Sequence, residues 1–201
     1  QEHLYALLDL CAKEQFKDVY IHAILDGRDA IYNASVGFLT ELQDKIKAVG
    51  VGTVVSLSGR YFAMDRDNRW DRVEQAYNAM VLGNGEQATN AVDAVQASYA
   101  KQVFDEQFVP TVITKNGKPI RTIQSGDAVI FFNFRPDRAR ELTKAFVLPA
   151  FDKFPRTALE RLYFVTFTEY EKDLPVEVAY PPQLIEVCLA KVISDAGLTQ
   201  L

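Results

Sequence analysis

Apolar positions recur along the chain with two different periods, and the period predicts whether a segment forms a helix or a strand. Spacing of three and four residues predicts helices over about 2–14, after Ser35 through Ile46, over 73–80, from Asn90 to about Gln102, through Leu142 to Phe146, and from Gln183 to about Asp195. Short runs rich in β-branched and aromatic residues predict strands at 19–25, 53–58, 111–114, 120–123, 128–132 and 162–167.

Turn residues divide these segments. Ser35 is the predicted N-cap of the second helix, and Gly50 is expected to end it. Asn116-Gly117 predicts a type I′ turn between two hairpin strands. Strands and helices then alternate with one hairpin inserted, so we predict an α/β fold: a three-layer α/β/α domain with a mixed, mostly parallel sheet of about six strands.

The predicted domain covers residues 1–173. Residues 174–182 are extended and rich in proline, so residues 174–201 are interpreted as a connector followed by a helix. The helical period begins at the first residues without a capping residue, and the last residues follow a predicted helix end. We therefore expect both ends to lie within a longer polypeptide.

Composition narrows the class of protein. The net charge of −5 argues against a non-specific nucleic-acid binder, and no apolar run approaches the ~20 residues that cross a bilayer. Cys11 and Cys188 are far apart and are interpreted as two buried free thiols of a cytoplasmic protein; a disulfide or a metal-binding pair is the alternative. With only two histidines and no cluster of metal-ligating residues, no metal site is predicted in this chain.

Arginine is distributed unevenly. Eight of the eleven arginines fall in three short segments, each directly after a predicted buried strand: Arg28; Arg60, Arg66, Arg69 and Arg72; and Arg135, Arg138 and Arg140. Ligands of open α/β sheets bind at the carboxyl ends of strands, so the three segments are expected to converge on one site. The planar guanidinium suits phosphate and carboxylate oxygens.

A structural role competes with this interpretation. Arginines at strand ends can instead pair with nearby acids, and we favour that for Arg69, Arg72 and Arg140, which lie on or beside helices near acids such as Asp65 and Asp137. Asp29 either accepts a proton from a bound hydroxyl group or forms a salt bridge. His22 in mid-strand and Trp70 at a helix start are expected to be packing residues.

Three arginine-bearing motifs resemble one known family. Leu25-Asp26-Gly27-Arg28-Asp29, the segment 58–72 and the segment 133–140 resemble the substrate-binding (phosphotransferase) domain of cofactor-independent phosphoglycerate mutases. Thr168-Glu169-Tyr170 and Tyr180-Pro181-Pro182 resemble it too, and the motifs occur in the family's order over nearly the whole chain. One departure is Ala30-Ile31-Tyr32, where the family usually has a threonine and prolines.

The resemblance implies an isomerase of glycolysis and gluconeogenesis that interconverts 3-phosphoglycerate and 2-phosphoglycerate. It implies that this domain is inserted in a phosphatase-like domain, which carries two manganese ions and a serine that forms a phosphoserine intermediate. By motif, the substrate-contacting positions are Arg28, Asp29, Arg60, Arg66, Arg135 and Arg138. Asp29 would also be catalytic, exchanging a proton with the glycerate hydroxyl.

The resemblance also places several functional groups outside this sequence: the serine, the metal ligands, a substrate-binding histidine before Gln1 and a lysine after Leu201. We therefore predict that this chain alone has no mutase activity. Two alternatives stay open. One is a stand-alone module that binds a phosphorylated metabolite without catalysis, and the other is a structural domain whose arginines are internally paired.

Overall fold

Helices and strands follow one another along the chain largely as the sequence predicts. The structure is a computed structural model that describes residues 1–183 and 187–199. Its helices are α1 (Glu2–Lys13), α2 (Ser35–Val49), α3 (Arg60–Ala63), α4 (Trp70–Val81), α5 (Ala91–Ala100), α6 (Arg140–Val147) and α7 (Leu189–Asp195). Its strands are β1 (Tyr20–Leu25), β2 (Thr53–Gly59), β3 (Glu86–Ala88), β4 (Thr111–Lys115), β5 (Lys118–Pro119), β6 (Ala128–Phe131), β7 (Tyr163–Thr166) and β8 (Glu177–Val178).

The strands form two sheets. The larger sheet has the order β1-β2-β4-β3, with β5 paired to β4. Strands β1 and β2 are parallel, as are β3 and β4, whereas β4 is antiparallel to β2 and β5. The smaller sheet is parallel throughout, in the order β6-β7-β8. The predicted α/β fold with a mixed arrangement of strands is confirmed, and the strands are divided between two sheets.

Two hydrophobic cores hold the layers together. In the first, Leu8 of α1, Leu39 of α2 and Val95 of α5 pack with Leu57 of the larger sheet. In the second, α4 and α6 pack together with strand residues, including Phe164 of β7. The residues spaced helically in α4 (Val73, Ala76, Tyr77 and Met80) are all buried, which confirms the predicted helix and its inward face.

The start of α2 differs from the prediction. Ser35 is the first helical residue and not the cap, because the helix is preceded by Ala34 in a helical conformation. The backbone N–H of Ser35 is instead bound by the buried Asp105 carboxylate at 3.0 Å, and Asp105 lies in a short 3₁₀ helix of residues 105–107. A side chain seventy residues away therefore supplies the cap.

The predicted hairpin is confirmed at its turn and corrected in its second strand. Asn116 and Gly117 both have positive φ, 56° and 74°, as a type I′ turn requires. The returning strand is Lys118–Pro119 alone, and the prediction of a strand at 120–123 is wrong. Ile120 still donates its backbone N–H to the carbonyl of Ile113 at 3.0 Å. Ile123, however, donates its backbone N–H to the carbonyl of Met80 and packs in the second core, so the segment leaves β4.

Strand β6 is the most apolar run but is not buried on both faces. Its residues alternate between exposed and half-buried, and Ile130 is 46% exposed. The segment 174–182, predicted to be an extended connector, contributes β8 to the smaller sheet. The boundary after residue 173 stays a prediction.

The last helix begins at Leu189 rather than at Gln183, and residues 184–186 lie outside the described part of the chain. The two cysteines are free, but Cys11 is half-buried and Cys188 is exposed, so the expectation that both are buried was wrong. Along the described residues, no helix has the length and apolarity needed to span a membrane.

Gly59 lets two backbone segments meet at the end of β2. A Cβ atom there would lie 2.4 Å from the carbonyl oxygen of Glu106 and 2.6 Å from the nitrogen of Phe108, and both are backbone atoms. We expect Gly59→Ala to lower the free energy of unfolding by about 1–3 kcal/mol, as overpacking does. Denaturant unfolding measures the effect.

Gly37→Ala is the matched control, because a Cβ at this exposed position of α2 meets nothing within 4 Å. Alanine favours a helix over glycine, so this variant is expected to gain up to about 1 kcal/mol. Equal stability of the two variants would contradict the close approach at Gly59.

Candidate functional site

The candidate site begins where β1 and β2 end. Leu25 and Gly59 are register partners on these parallel strands, so the residues that follow them, Asp26 and Arg60, emerge side by side. The side chain of Arg60 is only 8% exposed. Its Nη1 donates a short hydrogen bond to Asp26 and lies 3.3 Å from Oδ2 of Asp29.

Asp26 organises the loop after β1. Its Oδ1 accepts hydrogen bonds from the backbone N–H groups of Arg28 and Asp29, both at 3.3 Å, and its Oδ2 accepts one from Ala30 at 2.9 Å. Burial opposes the charge of Asp26, but the hydrogen bonds from Arg60 and the backbone outweigh it and hold the pKa of this carboxyl below its usual range. The loop after β1 is thus fixed by a residue that was not among the predicted site residues.

Asp29 joins the three arginine segments. Its Oδ2 lies 3.3 Å from Nη1 of Arg60 and 3.7 Å from Nη1 of Arg135. Arg135 follows β6, which belongs to the other sheet. Asp29 and Arg135 are 68% and 70% exposed, so this contact lies at the surface, above the buried Arg60. The structure therefore brings Arg28, Asp29, Arg60 and Arg135 to one place.

Arg28 has an acidic partner of its own, and Arg66, which also has one, extends the cluster. Nε of Arg28 lies 2.6 Å from Oε1 of Glu106, and Nη1 of Arg66 lies 2.8 Å from Oδ2 of Asp137. Both guanidinium groups are largely exposed. Glu106, in the 3₁₀ helix, was not predicted as a site residue, because nothing in its sequence context links it to Arg28.

The pKa of Arg138 is affected by the charges of the neighbouring arginines. Nη1 of Arg138 donates to the backbone carbonyl of Met64 at 3.0 Å. Burial together with the nearby guanidinium groups of Arg60, Arg66 and Arg28 holds the pKa of Arg138 below its usual value, although Asp137 acts in the opposite direction. The repulsion among these cations means that the field at Arg138 favours an anion.

Comparison with known proteins identifies the family. Residues 1–172 match the family model described as the BPG-independent PGAM N-terminus. The chain belongs to this family. It is 47% identical over its full length to the 2,3-bisphosphoglycerate-independent phosphoglycerate mutase of Moorella thermoacetica, and 50% identical to that of Clostridium perfringens. In each case it spans 39% of the relative's length.

A solved structure agrees with the family assignment. The chain is similar to a crystal structure of Leishmania mexicana phosphoglycerate mutase at low cobalt concentration, with a TM-score of 0.87 and 31% identity. The match covers 98% of this chain and 38% of the other. The fold described above is therefore the fold of the corresponding part of a phosphoglycerate mutase.

Outside the cluster, other polar residues make contacts that agree with a structural role. Nη1 of Arg72 lies 3.5 Å from Asp65, and Nε of Arg140 donates to the carbonyl of Tyr170 at 2.5 Å. His22 Nδ1 and Ser56 Oγ are hydrogen-bonded at 2.7 Å, and desolvation lowers the pKa of His22 to about 4, so His22 is a neutral, half-buried residue of the sheet. Among the residues that the structure describes, no three His, Cys, Asp or Glu side chains gather as metal ligands.

The loss of the Asp26 carboxylate tests how the site is held. We expect Asp26→Asn to lower the free energy of unfolding near neutral pH by about 1–2 kcal/mol, the cost of weakening a charge-assisted hydrogen bond at a partly exposed acid. Because the folded state lowers the pKa of Asp26, its contribution is present above the usual carboxyl pKa and is lost as the pH falls through the lowered value. Urea unfolding at several pH values measures both effects.

Asp9→Asn is the control for the same chemical change, since Asp9 pairs with Lys45 at an exposed position of α1. A surface pair contributes about 0–1 kcal/mol. If the two variants lost the same stability with the same pH profile, Asp26 would not be the anchor of Arg60.

Proposed function

We propose that this chain is the substrate-gripping domain of a 2,3-bisphosphoglycerate-independent phosphoglycerate mutase, an enzyme that interconverts 3-phosphoglycerate and 2-phosphoglycerate. The observation that carries the proposal is the meeting of three separate arginine segments around Asp29. The family match and the named relatives support it, because the relatives are phosphoglycerate mutases and the charge of this site favours an anion with several oxygens.

The geometry suggests a division of roles. Arg60 is buried and Arg138 is half-buried, and each is held by a hydrogen bond to the protein, so they provide preorganised positive charge. Arg28, Arg66 and Arg135 have exposed guanidinium groups that can move to carboxylate and phosphate oxygens of the ligand. Holding the glycerate between two phosphoryl transfers would make the enzyme a mutase instead of a phosphatase.

Asp29 is the proposed proton acceptor for the glycerate hydroxyl. Its carboxylate is exposed and lies between Arg60 and Arg135, so a hydroxyl group of a ligand held by these arginines comes within reach of it. The same two contacts are those of a salt bridge, and an Asp29→Asn variant separates the roles: a proton acceptor is needed for turnover, whereas a salt bridge alone affects binding.

The remaining chemistry is assigned to the part of the polypeptide beyond this chain, since the relatives are about two and a half times as long. We propose that the phosphoserine and two manganese ions belong there, in a cytoplasmic enzyme of glycolysis and gluconeogenesis. Among the described residues, no group of three or more His, Cys, Asp or Glu side chains could hold a metal ion. A non-catalytic phosphometabolite-binding module is the alternative.

Binding of 3-phosphoglycerate by the chain is the first test. We expect a weak interaction, about millimolar, that shifts the NMR signals of Arg28, Arg60, Arg66 and Arg135. Arg135→Ala should weaken binding roughly tenfold or more, because a charge-assisted hydrogen bond contributes about 1.5–3 kcal/mol. Arg135 is the right residue to change because its guanidinium is exposed and it does not support the core.

Arg161→Ala is the matched control, since Arg161 is an exposed arginine outside the cluster. Its affinity should equal that of the unchanged chain. Binding that is equally strong in all three proteins would contradict the assignment of the site.

Turnover provides a second test. We expect the chain alone, supplied with 3-phosphoglycerate and manganese, to form no 2-phosphoglycerate, because the proposed nucleophile lies elsewhere in the polypeptide. A coupled assay with enolase detects the product, and the full-length enzyme serves as the positive control. Sustained turnover by the chain would show that it carries a nucleophile of its own.

A further inference from the structure

Behind the arginine cluster lies a buried acid that the proposed function does not use. Glu141, in the first turn of α6, is 6% exposed. Its Oε1 accepts a hydrogen bond from the backbone N–H of Asn68 at 2.9 Å. Its Oε2 is buried and receives no hydrogen bond from any residue in the described ranges. A buried carboxyl oxygen in this condition needs an explanation.

The second acid at this place is Asp65, which is 4% exposed. Its Oδ2 accepts hydrogen bonds from the backbone N–H groups of Asp67 and Arg69, both at 2.9 Å, and its Oδ1 lies 3.5 Å from Arg72 of α4. Glu141 and Asp65 together thus bind the backbone of the loop 64–69 at three points. Arg66 is carried on this loop.

The loop turns at the residue that Glu141 binds. Asn68 has φ of 58°, in the left-handed region, which asparagine adopts more readily than most residue types. The hydrogen bond to Glu141 is made by the N–H of this residue. If the loop relaxed, the position of Arg66 opposite Asp137 would change with it.

The charges around Glu141 favour its neutral form. Asp65 and Asp67 act on it from the loop, and Arg72 of α4 is paired with Asp65. On α6 itself, Lys144 is paired with Glu171 at 2.7 Å. Burial and the carboxylates of Asp65 and Asp67 raise the pKa of Glu141 to about 7, against the effect of the Asn68 N–H.

We propose that Glu141 is a positioning residue for Arg66: in its neutral form its carboxyl O–H donates a hydrogen bond to the Asp65 carboxylate and holds the loop 64–69 against α6. The buried Oε2 is the atom that carries the proton, which explains why it has no donor among the described residues. The role of the loop in gripping the substrate rests on the proposed function, whereas the proton shared between the two acids does not.

The inference has a defined pH dependence. A group whose pKa is raised on folding stabilises the folded state below its ordinary pKa, and this contribution is lost as the pH rises through the raised value. Above about pH 7, Glu141 becomes a second buried anion beside Asp65, and the loop loses its support. The affinity for an anion held by Arg66 is scaled by the fraction of molecules whose loop is correctly placed. This fraction falls as the pH rises, so the affinity decreases by up to about tenfold at pH 8.

The test compares Glu141→Gln with the unchanged chain. Glutamine has nearly the same shape, accepts from Asn68 through its carbonyl and donates to Asp65 through its amide at every pH. In the ligand-free unchanged chain, we expect the NMR signals of the Asn68 and Arg66 amides to titrate with a midpoint near pH 7. In Glu141→Gln we expect no such titration and a loop in the low-pH position throughout.

Two further variants complete the test. Glu141→Ala removes both hydrogen bonds and should displace the loop at every pH. If this variant does not fold, the comparison of Glu141→Gln with the unchanged chain still tests the inference. Glu14→Gln, at an exposed position of the chain, should keep the titration. The inference is overturned if Glu141→Gln titrates like the unchanged chain, or if its loop is displaced at low pH.

Binding of 3-phosphoglycerate then tests whether protonation of Glu141 affects the affinity for the ligand. The ratio of the Kd of the unchanged chain to that of Glu141→Gln should be near one at about pH 6 and should rise several-fold by about pH 8. A constant ratio with an intact amide titration would overturn the positioning role of Glu141. If neither protein bound the ligand, the proposed function would fail, while the amide titration would still decide whether the two acids share a proton.

Discussion

The whole site depends on one buried cation, the guanidinium of Arg60. Burying an arginine is costly unless it is paired, and here Asp26 and Asp29 supply the pairing. Because Asp26 follows β1 and Arg60 follows β2, the register of two parallel strands brings the ion pair together. The pair then fixes the loop that carries Arg28 and Asp29. The pairing of β1 with β2 therefore also brings the residues of the site together at this end of the sheet.

Local sequence patterns predicted most helices and strands correctly, but they did not predict contacts between distant parts of the chain. The helix α4 could be predicted because its buried residues repeat within one segment, and the type I′ turn because Asn116-Gly117 is a local signal. The cap of α2 could not be predicted, since Asp105 reaches it from a distant part of the chain. The same holds for β8, which is a strand only because β7 lies beside it.

The same difference between local signals and long-range contacts applies to the candidate site. The three arginine segments could be found because arginine after a buried strand is a local feature, and the structure brings them together although β6 lies in a separate sheet. The partners Glu106 and Glu141 were missed. Neither has a distinctive neighbour in sequence, and their importance comes from burial and distance in three dimensions. Apolar composition likewise did not reveal that one face of β6 is open.

The acids beside the exposed arginines have a consequence for selectivity. Arg28, Arg66 and Arg135 each have a carboxylate neighbour, so any incoming anion competes with a group already in place. A chloride ion or a simple monocarboxylate can replace one such contact and gains little by doing so. A molecule with anionic groups at both ends engages several guanidinium groups at once, and each contact raises the effective concentration for the next. The proposed site is therefore expected to discriminate against small singly charged anions and to favour a molecule such as a phosphorylated acid.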